Sequence, residues 1–411
     1  MSKKRNLPTG WKWEKFGDIA EERLIGLVRG SKEQHPNKPY PYIKMDSIQV
    51  DGSLNLALAA KVDATEAEVK RYSLRKGDFL FNTRNSHELV GKTAVFRLTD
   101  EDWLYNNNIM RVRFNESIDS DYINLAFHTH LIQKQLEAAK SKTTSVCAIY
   151  DYQLVNVRVP LPPLEEQRRI AEILDRADAI RRKRQEAIRL TEELLRSAFL
   201  EMFGDPVTNP KNWSTVELGS QVSELRYGTS VKCHDKKKDG DLPILRIPNI
   251  IGEQISWDDL KYTQLTSNEV AKLLLIPGDL LFVRTNGNPE YIGRCAVFEE
   301  GFDKALYASY LIRARLKSNA QLYPSFIRDI ISFPTYRSLL VREARTTAGN
   351  YNIGTEGLGR LRLIQPPLKE QENYMRFEQK LNERLEVLKH QIEETNNFFN
   401  SLLQRAFRGE L

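Results

Sequence analysis

The chain has 411 residues, 41% hydrophobic and 28% charged, with a formal net charge of +6; that is ordinary globular composition, long enough for two or three domains, and it argues against disorder. Three scattered cysteines, Cys147, Cys233 and Cys295, form no CxxC pair, which argues against a disulfide framework and fits a reducing compartment. No run has the length of a signal-peptide core or a membrane span, so a cytoplasmic protein is expected, and the basic excess suits an anionic partner such as nucleic acid.

Taken in order, the chain reads as one pattern written twice. "LPTGWKWEKFGDIAEERLIG" is followed later by "NPKNWSTVELGSQVSELRYG", with Pro8, Trp11, Gly17 and Gly26 over Pro210, Trp213, Gly219 and Gly228 at one constant offset. "PYIKMDSI" matches "PILRIPNI", and "KGDFLFNTRNSHELVGKTAVF" matches "PGDLLFVRTNGNPEYIGRCAVF" with one inserted residue. "LYNNNIMRVRF" then matches "LYASYLIRARL", and "KTTSV" matches "RTTAG". Each copy consists of short β-rich runs broken by Gly, Pro and Asn, and a long helix follows each. The expected division is a module over 1–160, a helix over 161–205, a second module over 206–365 and a second helix over 366–411, an α/β (α+β) architecture with an internal repeat.

The joint between module and helix is repeated as well, "VPLPPLEEQRRIAEIL" and "IQPPLKEQENYMRFEQ". Pro162-Pro163 and Pro366-Pro367 close a strand and preset the first helical φ, while Glu165, Glu166 and Glu370 sit at the positive end of the helix dipole. Beyond it, Ile170, Ile173, Ala177, Ile180, Arg184, Ala187, Thr191, Leu194 and Ala198 follow a 3,4 spacing. In the second helix Tyr374, Phe377, Leu381, Leu385, Leu388, Ile392, Thr395, Phe399, Leu402 and Ala406 do so with one 4,4 step, read as a stutter. Two such seams in one chain are expected to bury each other as an antiparallel coiled coil, with the modules at opposite ends and related by a pseudo-twofold axis. At 1.5 Å per residue such helices are roughly 60 Å long.

The PPLxEQ joints, a PxxW step at each module start, "FLEMFGDP" after the first helix and "LLQRAFRGEL" at the end resemble the specificity subunit of a type I DNA restriction-modification system over nearly the whole chain. The resemblance implies two target recognition domains, each reading one half of a split double-stranded DNA target. It also implies docking of two methyltransferase subunits, to which restriction (motor-nuclease) subunits add, with no catalytic centre and no cofactor. On that reading Leu164, Gln167, Ile170, Ile173, Ala177, Ile180 and Leu194 in the first helix, and Leu368, Gln371, Phe377, Leu381, Leu388, Ile392 and Leu402 in the second, serve helix pairing and partner docking.

No catalytic motif is complete in the sequence. "SHELVGKT" ends like a phosphate-binding loop but has Ser86 where glycine is needed, and its aligned copy reads "YIGRC". "LPPL" and "QPPL" lack the polar and aromatic residues of an amino-methyltransferase motif, and His128, His130, Cys233 and His234 lack companions for a metal site. For DNA contact the candidates are polar, basic segments present in both halves: Arg84, Asn85 and Ser86 with Arg284, Thr285, Asn286 and Asn288, and Lys142, Thr143 and Thr144 with Arg345, Thr346 and Thr347. Arg and Asn can bind base edges bidentately, whereas Lys holds phosphate; the alternative for these loops is a solvated hairpin. Arg111 with Arg113, and Arg313 with Arg315, suit either a DNA-facing or a solvent face, solvent being favoured. The rival functions are a protein-binding scaffold and a stand-alone DNA methyltransferase.

Overall fold

In a computed structural model that describes residues 7–142, 146–299, 304–347 and 350–411, the chain divides into two compact units. One consists of Met1–Glu186 and Lys389–Leu411, the other of Ala187–Leu388. The duplicated sequence folds into the same four sheets twice, and the second unit adds a two-stranded ladder of Ile250–Ile251 and Gln254–Ile255 where the first has an isolated bridge between Ile48 and Leu54.

In the first unit an antiparallel sheet orders its strands Ala20–Ile25, Ile109–Phe114, Phe79–Asn82 and Thr93–Val95. A second sheet sets Tyr40–Ile43 between an antiparallel Ala60–Val62 and a parallel Leu104–Tyr105. A third joins Arg84–Asn85, Cys147–Ala148 and Ser141–Lys142, and Lys12–Lys15 pairs with Arg158–Leu161. The second unit repeats this order. Its four-stranded sheet runs Val222–Tyr227, Leu311–Leu316, Leu280–Val283 and Cys295–Val297, and Leu242–Leu245 lies between Lys261–Thr263 and Leu306–Tyr307. Thr285–Asn286, Asn350–Asn352 and Arg345–Thr347 form its third sheet, and Thr215–Glu217 pairs with Arg362–Ile364.

The run "FLFN" is a strand because it is apolar, short and stopped by polar residues, and it is buried on both faces. Side chains alternate along a strand, so Phe79 and Phe81 enter one core with Phe16, Phe127 and Ile132. Leu80 enters the core on the other side with Ile43, Ala94 and Ile109. Leu280 and Phe282 are likewise separated from Leu281 and Val283 in the second unit. Burying a large apolar side chain contributes about 1.5–3 kcal/mol, so this central strand is the main apolar tie of each module. The matched glycines have a steric cause: a Cβ on Gly26 would lie 2.3 Å from the Asn106 and Tyr105 carbonyl oxygens, and one on Gly228 would lie 2.2 Å from that of Tyr307.

The long helices run Leu164–Phe203 and Leu368–Ala406. They pack antiparallel within each unit. In the first, Ile170, Ala171 and Leu174 share a core with Phe399, Leu403, Ala406 and Phe407, and Arg184 donates to the Gln391 carbonyl at 2.8 Å and to the Thr395 hydroxyl. In the second, Phe199 and Phe203 each meet the Tyr374 ring edge-on at 5.5 Å.

Two features of the expected seam are corrected. In the first helix Ile180 and Leu194 are 52% and 49% exposed, whereas Leu174 is buried and Arg181, Ile188 and Leu195 are half-buried. In the second helix Phe377 is turned outward and Glu378, 8% exposed, takes its place, because Arg328 stands ready to pair with it. With Glu378 in the seam the sequence Tyr374, Glu378, Leu381, Leu385, Leu388, Ile392, Thr395, Phe399 keeps an unbroken 4,3 spacing, so the stutter is not there. Ile170, Leu388, Thr395 and Phe399 are buried as expected, and Leu164, Ile173, Ala177, Leu368, Leu381, Ile392 and Leu402 are half-buried.

Candidate nucleic-acid interface

The central strand of each module ends at its polar loop, and the paired arginines on the neighbouring strand are engaged within the module. Arg111, 1% exposed, binds Glu22 and donates to the Ser73 carbonyl at 3.0 Å. Arg113 bridges Glu22 at 2.9 Å and Asp78 at 2.8 Å. Arg313, Arg315, Glu224 and Asp279 repeat the cluster, with Arg315 bidentate on Asp279 at 2.8 and 2.7 Å. Arg111 and Arg313 are therefore buried, while Arg113 and Arg315 are 22% and 29% exposed and engaged with Asp78 and Asp279. Ionic hydrogen bonds hold the Glu224 carboxyl below its ordinary range, first that of Arg226 and then that of Arg313, and burial pushes the nearby Tyr307 phenol up to about 12. A buried cation without such partners costs several kcal/mol, which is why the acid residues recur in both halves.

At the loop itself, Arg84 is exposed. The buried Asn82 amide donates to the Arg84 and Asn108 carbonyls at 3.1 and 3.0 Å, and its oxygen accepts from Asn85 at 3.0 Å. Asn85 in turn accepts the Ser86 backbone N–H at 2.8 Å. In the second unit Asn286 accepts the Asn288 N–H at 2.9 Å and Asn288 that of Glu290 at 3.0 Å. These asparagines stabilise the turn, while Arg84 and the exposed Ser86 point outward from it; Thr285 is half-buried. Thr143 and Thr144 lie outside the described residues, as do the side chains of Lys142, Arg345, Thr346 and Thr347. Lys142 pairs in register with Cys147, which in turn pairs with Asn85, so the backbone of both candidate segments belongs to one small sheet.

The structure adds aromatic residues that sequence reasoning missed. The Arg84 guanidinium lies over the Tyr150 ring at 5.9 Å, and Tyr150 and Tyr152 are parallel at 5.8 Å. Arg284 lies over Tyr227 at 4.8 Å. Burial tends to raise the Tyr227 phenol, but hydrogen bonds from Thr355 and the Arg284 charge outweigh it and hold the phenol below its usual value. The available sign was "YDY", two aromatics flanking Asp151 just beyond the repeated "KTTSV".

Of the arginines in "RRKR", Arg181 pairs with Asp178 at 2.5 Å, Arg182 with Asp178 at 3.1 Å, and Arg184 with the second helix. Gln167 and Gln371 are buried, and their amides are fully engaged with the module that precedes each helix. Among the described residues no group of three or more His, Cys, Asp or Glu could hold a metal ion, and no helix is long and apolar enough to cross a membrane.

Residues 8–190 match the family model of the type I restriction modification DNA specificity domain. The EcoKI specificity subunit of Escherichia coli (strain K12) is 29% identical over 277 residues, 63% of this chain and 58% of that one, so the match spans less than two thirds of that relative. The putative type I restriction enzyme MjaX specificity subunit of Methanocaldococcus jannaschii is 24% identical over 98% of this chain and 94% of its own length. A type I restriction-modification S subunit from M. genitalium has the same fold, with a TM-score of 0.59 at 14% identity over 99% of this chain and 98% of that chain. A chain from a structural study of type I R-M complex assembly gives 0.55 at 20% identity over 99% and 100%. The first module and most of its helix thus match a type I restriction modification DNA specificity domain, and the chain as a whole has the fold of a type I restriction-modification S subunit.

Proposed function

We propose that this chain is the non-catalytic DNA-reading subunit of a type I restriction-modification complex in the cytoplasm. Each module, about 1–160 and 206–365, reads one half of a bipartite duplex target. The helices over 161–205 and 366–411 set the spacer and dock methyltransferase subunits, two in number, through which restriction subunits join. The observation that carries this reading is the repetition itself: one module and one helix, twice, with an arginine-bearing loop at the same sheet edge each time.

Affinity would come from Lys and Arg on phosphate, including Lys142 and Arg345, and specificity from base-edge contacts by Arg84, Ser86 and Arg284. No catalytic step is assigned to any residue of the chain. The test is methylation of a randomised duplex library by the chain alone and by the chain with its methyltransferase subunits. Modification only with the partner, at a split site, is expected; methyl transfer by the lone chain would overturn the assignment.

A further inference from the structure

An arginine lies over an exposed tyrosine at the loop of both modules, Arg84 itself exposed and Arg284 half-buried, yet the two pairs are not copies of one another. The Thr83 backbone donates to Asn108 O and accepts from Ile149 N, and the Arg284 backbone makes the equivalent bonds with Tyr310 O and Ile353 N. Arg284 therefore stands where Thr83 does, and Arg84 stands where Thr285 does. The rings differ in origin too. Tyr150 follows Ile149, but Gly354 follows Ile353; the second unit draws its ring from the end of strand Val222–Tyr227 instead, where the first unit has Ile25.

An arrangement inherited passively from the duplication would use equivalent positions. This one has been built twice by different routes. Tyr150, Tyr152 and Tyr227 are 39%, 66% and 40% exposed, so core packing does not account for them. Each is nevertheless held: Tyr150 N–H donates to Gln153 Oε1 at 2.8 Å, and the Tyr227 hydroxyl accepts the Thr355 N–H at 3.1 Å. Arg284 also donates to Ser309 O at 3.3 Å. A guanidinium restrained over a ring has less rotamer freedom to lose on binding, and its planar fork matches the O6 and N7 edge of guanine.

We propose that Tyr150 and Tyr227 are positioning residues for base reading, each presenting one guanidinium, Arg84 or Arg284, to a guanine in its own half-site. This rests on the DNA-reading function above. The full chain, assembled with its methyltransferase subunits, is used to methylate a randomised duplex library, and the modified products are sequenced for wild type, Tyr150→Leu, Tyr150→Phe, Tyr227→Leu and Tyr227→Phe. Each leucine variant should lose about tenfold in discrimination at one guanine position of one half-site, in opposite halves for the two tyrosines, while the phenylalanine variants, which keep the ring, retain it. Leucine variants with undiminished preference, or with equal loss in both half-sites, overturn the positioning role and leave DNA reading standing. A wild-type complex that modifies DNA without sequence preference overturns both.

Discussion

The side-chain oxygen of Gln167 accepts the backbone N–H of Asp119 at 2.9 Å while its amide donates to the Ser117 and Pro162 carbonyls, and Gln371 does the same for Tyr323, Gln321 and Pro366. The repeated EQ of the joint is thus a clasp between a helix start and its own module. Truncating Gln167 or Gln371 to Ala strips the partner from three backbone groups, the proline carbonyl in a buried bond and the other two in part-buried ones. Unmet buried groups cost about 1–3 kcal/mol each, so a loss of that order or more is expected, measured by urea unfolding, with half-site preference intact in whatever remains folded.

Arg111 and Arg84 should behave oppositely. Arg111→Ala strips a buried cation from Glu22 and is expected to cost about 3–5 kcal/mol of stability. Arg84→Ala changes an exposed side chain and should shift stability by less than about 0.5 kcal/mol while relaxing base preference in one half-site. Thermal unfolding of both variants beside library methylation separates the two roles; equal destabilisation would contradict the assignment of Arg84 to the surface.

In the second unit Arg328 lies between Asp329, at 2.7 Å, and Glu378. Burial, the largest cause, raises Asp329 to about 7 against the lowering effect of Arg328, with the Glu378 and Glu253 charges also raising the carboxyl. The folded state then binds this proton more tightly than the unfolded state, whose carboxyl titrates near about 3.9. Its contribution to stability is complete below about pH 4 and is lost as the pH rises to about 7. Asp329→Asn removes that dependence, so the stability of the variant relative to wild type should climb between pH 4.5 and 7.5. Urea unfolding across that window checks the sign; a flat difference would mean the carboxyl is ionised throughout.

The unbroken 4,3 spacing changes what a length test of the helices must remove. One heptad from each, Gln185 to Thr191 and Glu386 to Ile392, keeps both seams in phase and leaves Arg184 and Thr395 in place. The pair shortens by about 10 Å, equal to roughly three base pairs at 3.4 Å rise. Both half-sites should persist with a shorter preferred spacer, read from methylated libraries. Four residues taken from the second helix alone should instead disturb the seam and lower stability. An unchanged spacer in the folded heptad variant would show that the helices do not measure it.

The joints and the two long helices were legible because they rest on local causes, proline at a helix start and apolar residues at helical spacing, and the duplication because the same residues, Gly26 and Gly228 among them, recur at one offset. Glu378 in place of Phe377, Arg181 and Leu195 in place of Ile180 and Leu194, and Arg111 as an internal cation were decided by tertiary structure. In each case the deciding group lies far away in sequence: Arg328 for Glu378, the Phe399 ring that Arg181 covers at 4.8 Å, and Glu22 for Arg111. A charged side chain is buried only where folding supplies its counter-charge, and an apolar one is covered only where a neighbour arrives. Periodicity fixes the faces of a helix to within one residue; the partner chooses among them. The arginine–tyrosine pairs were hidden for the same reason, since Arg84 meets Tyr150, and Arg284 meets Tyr227, only after the sheets have closed.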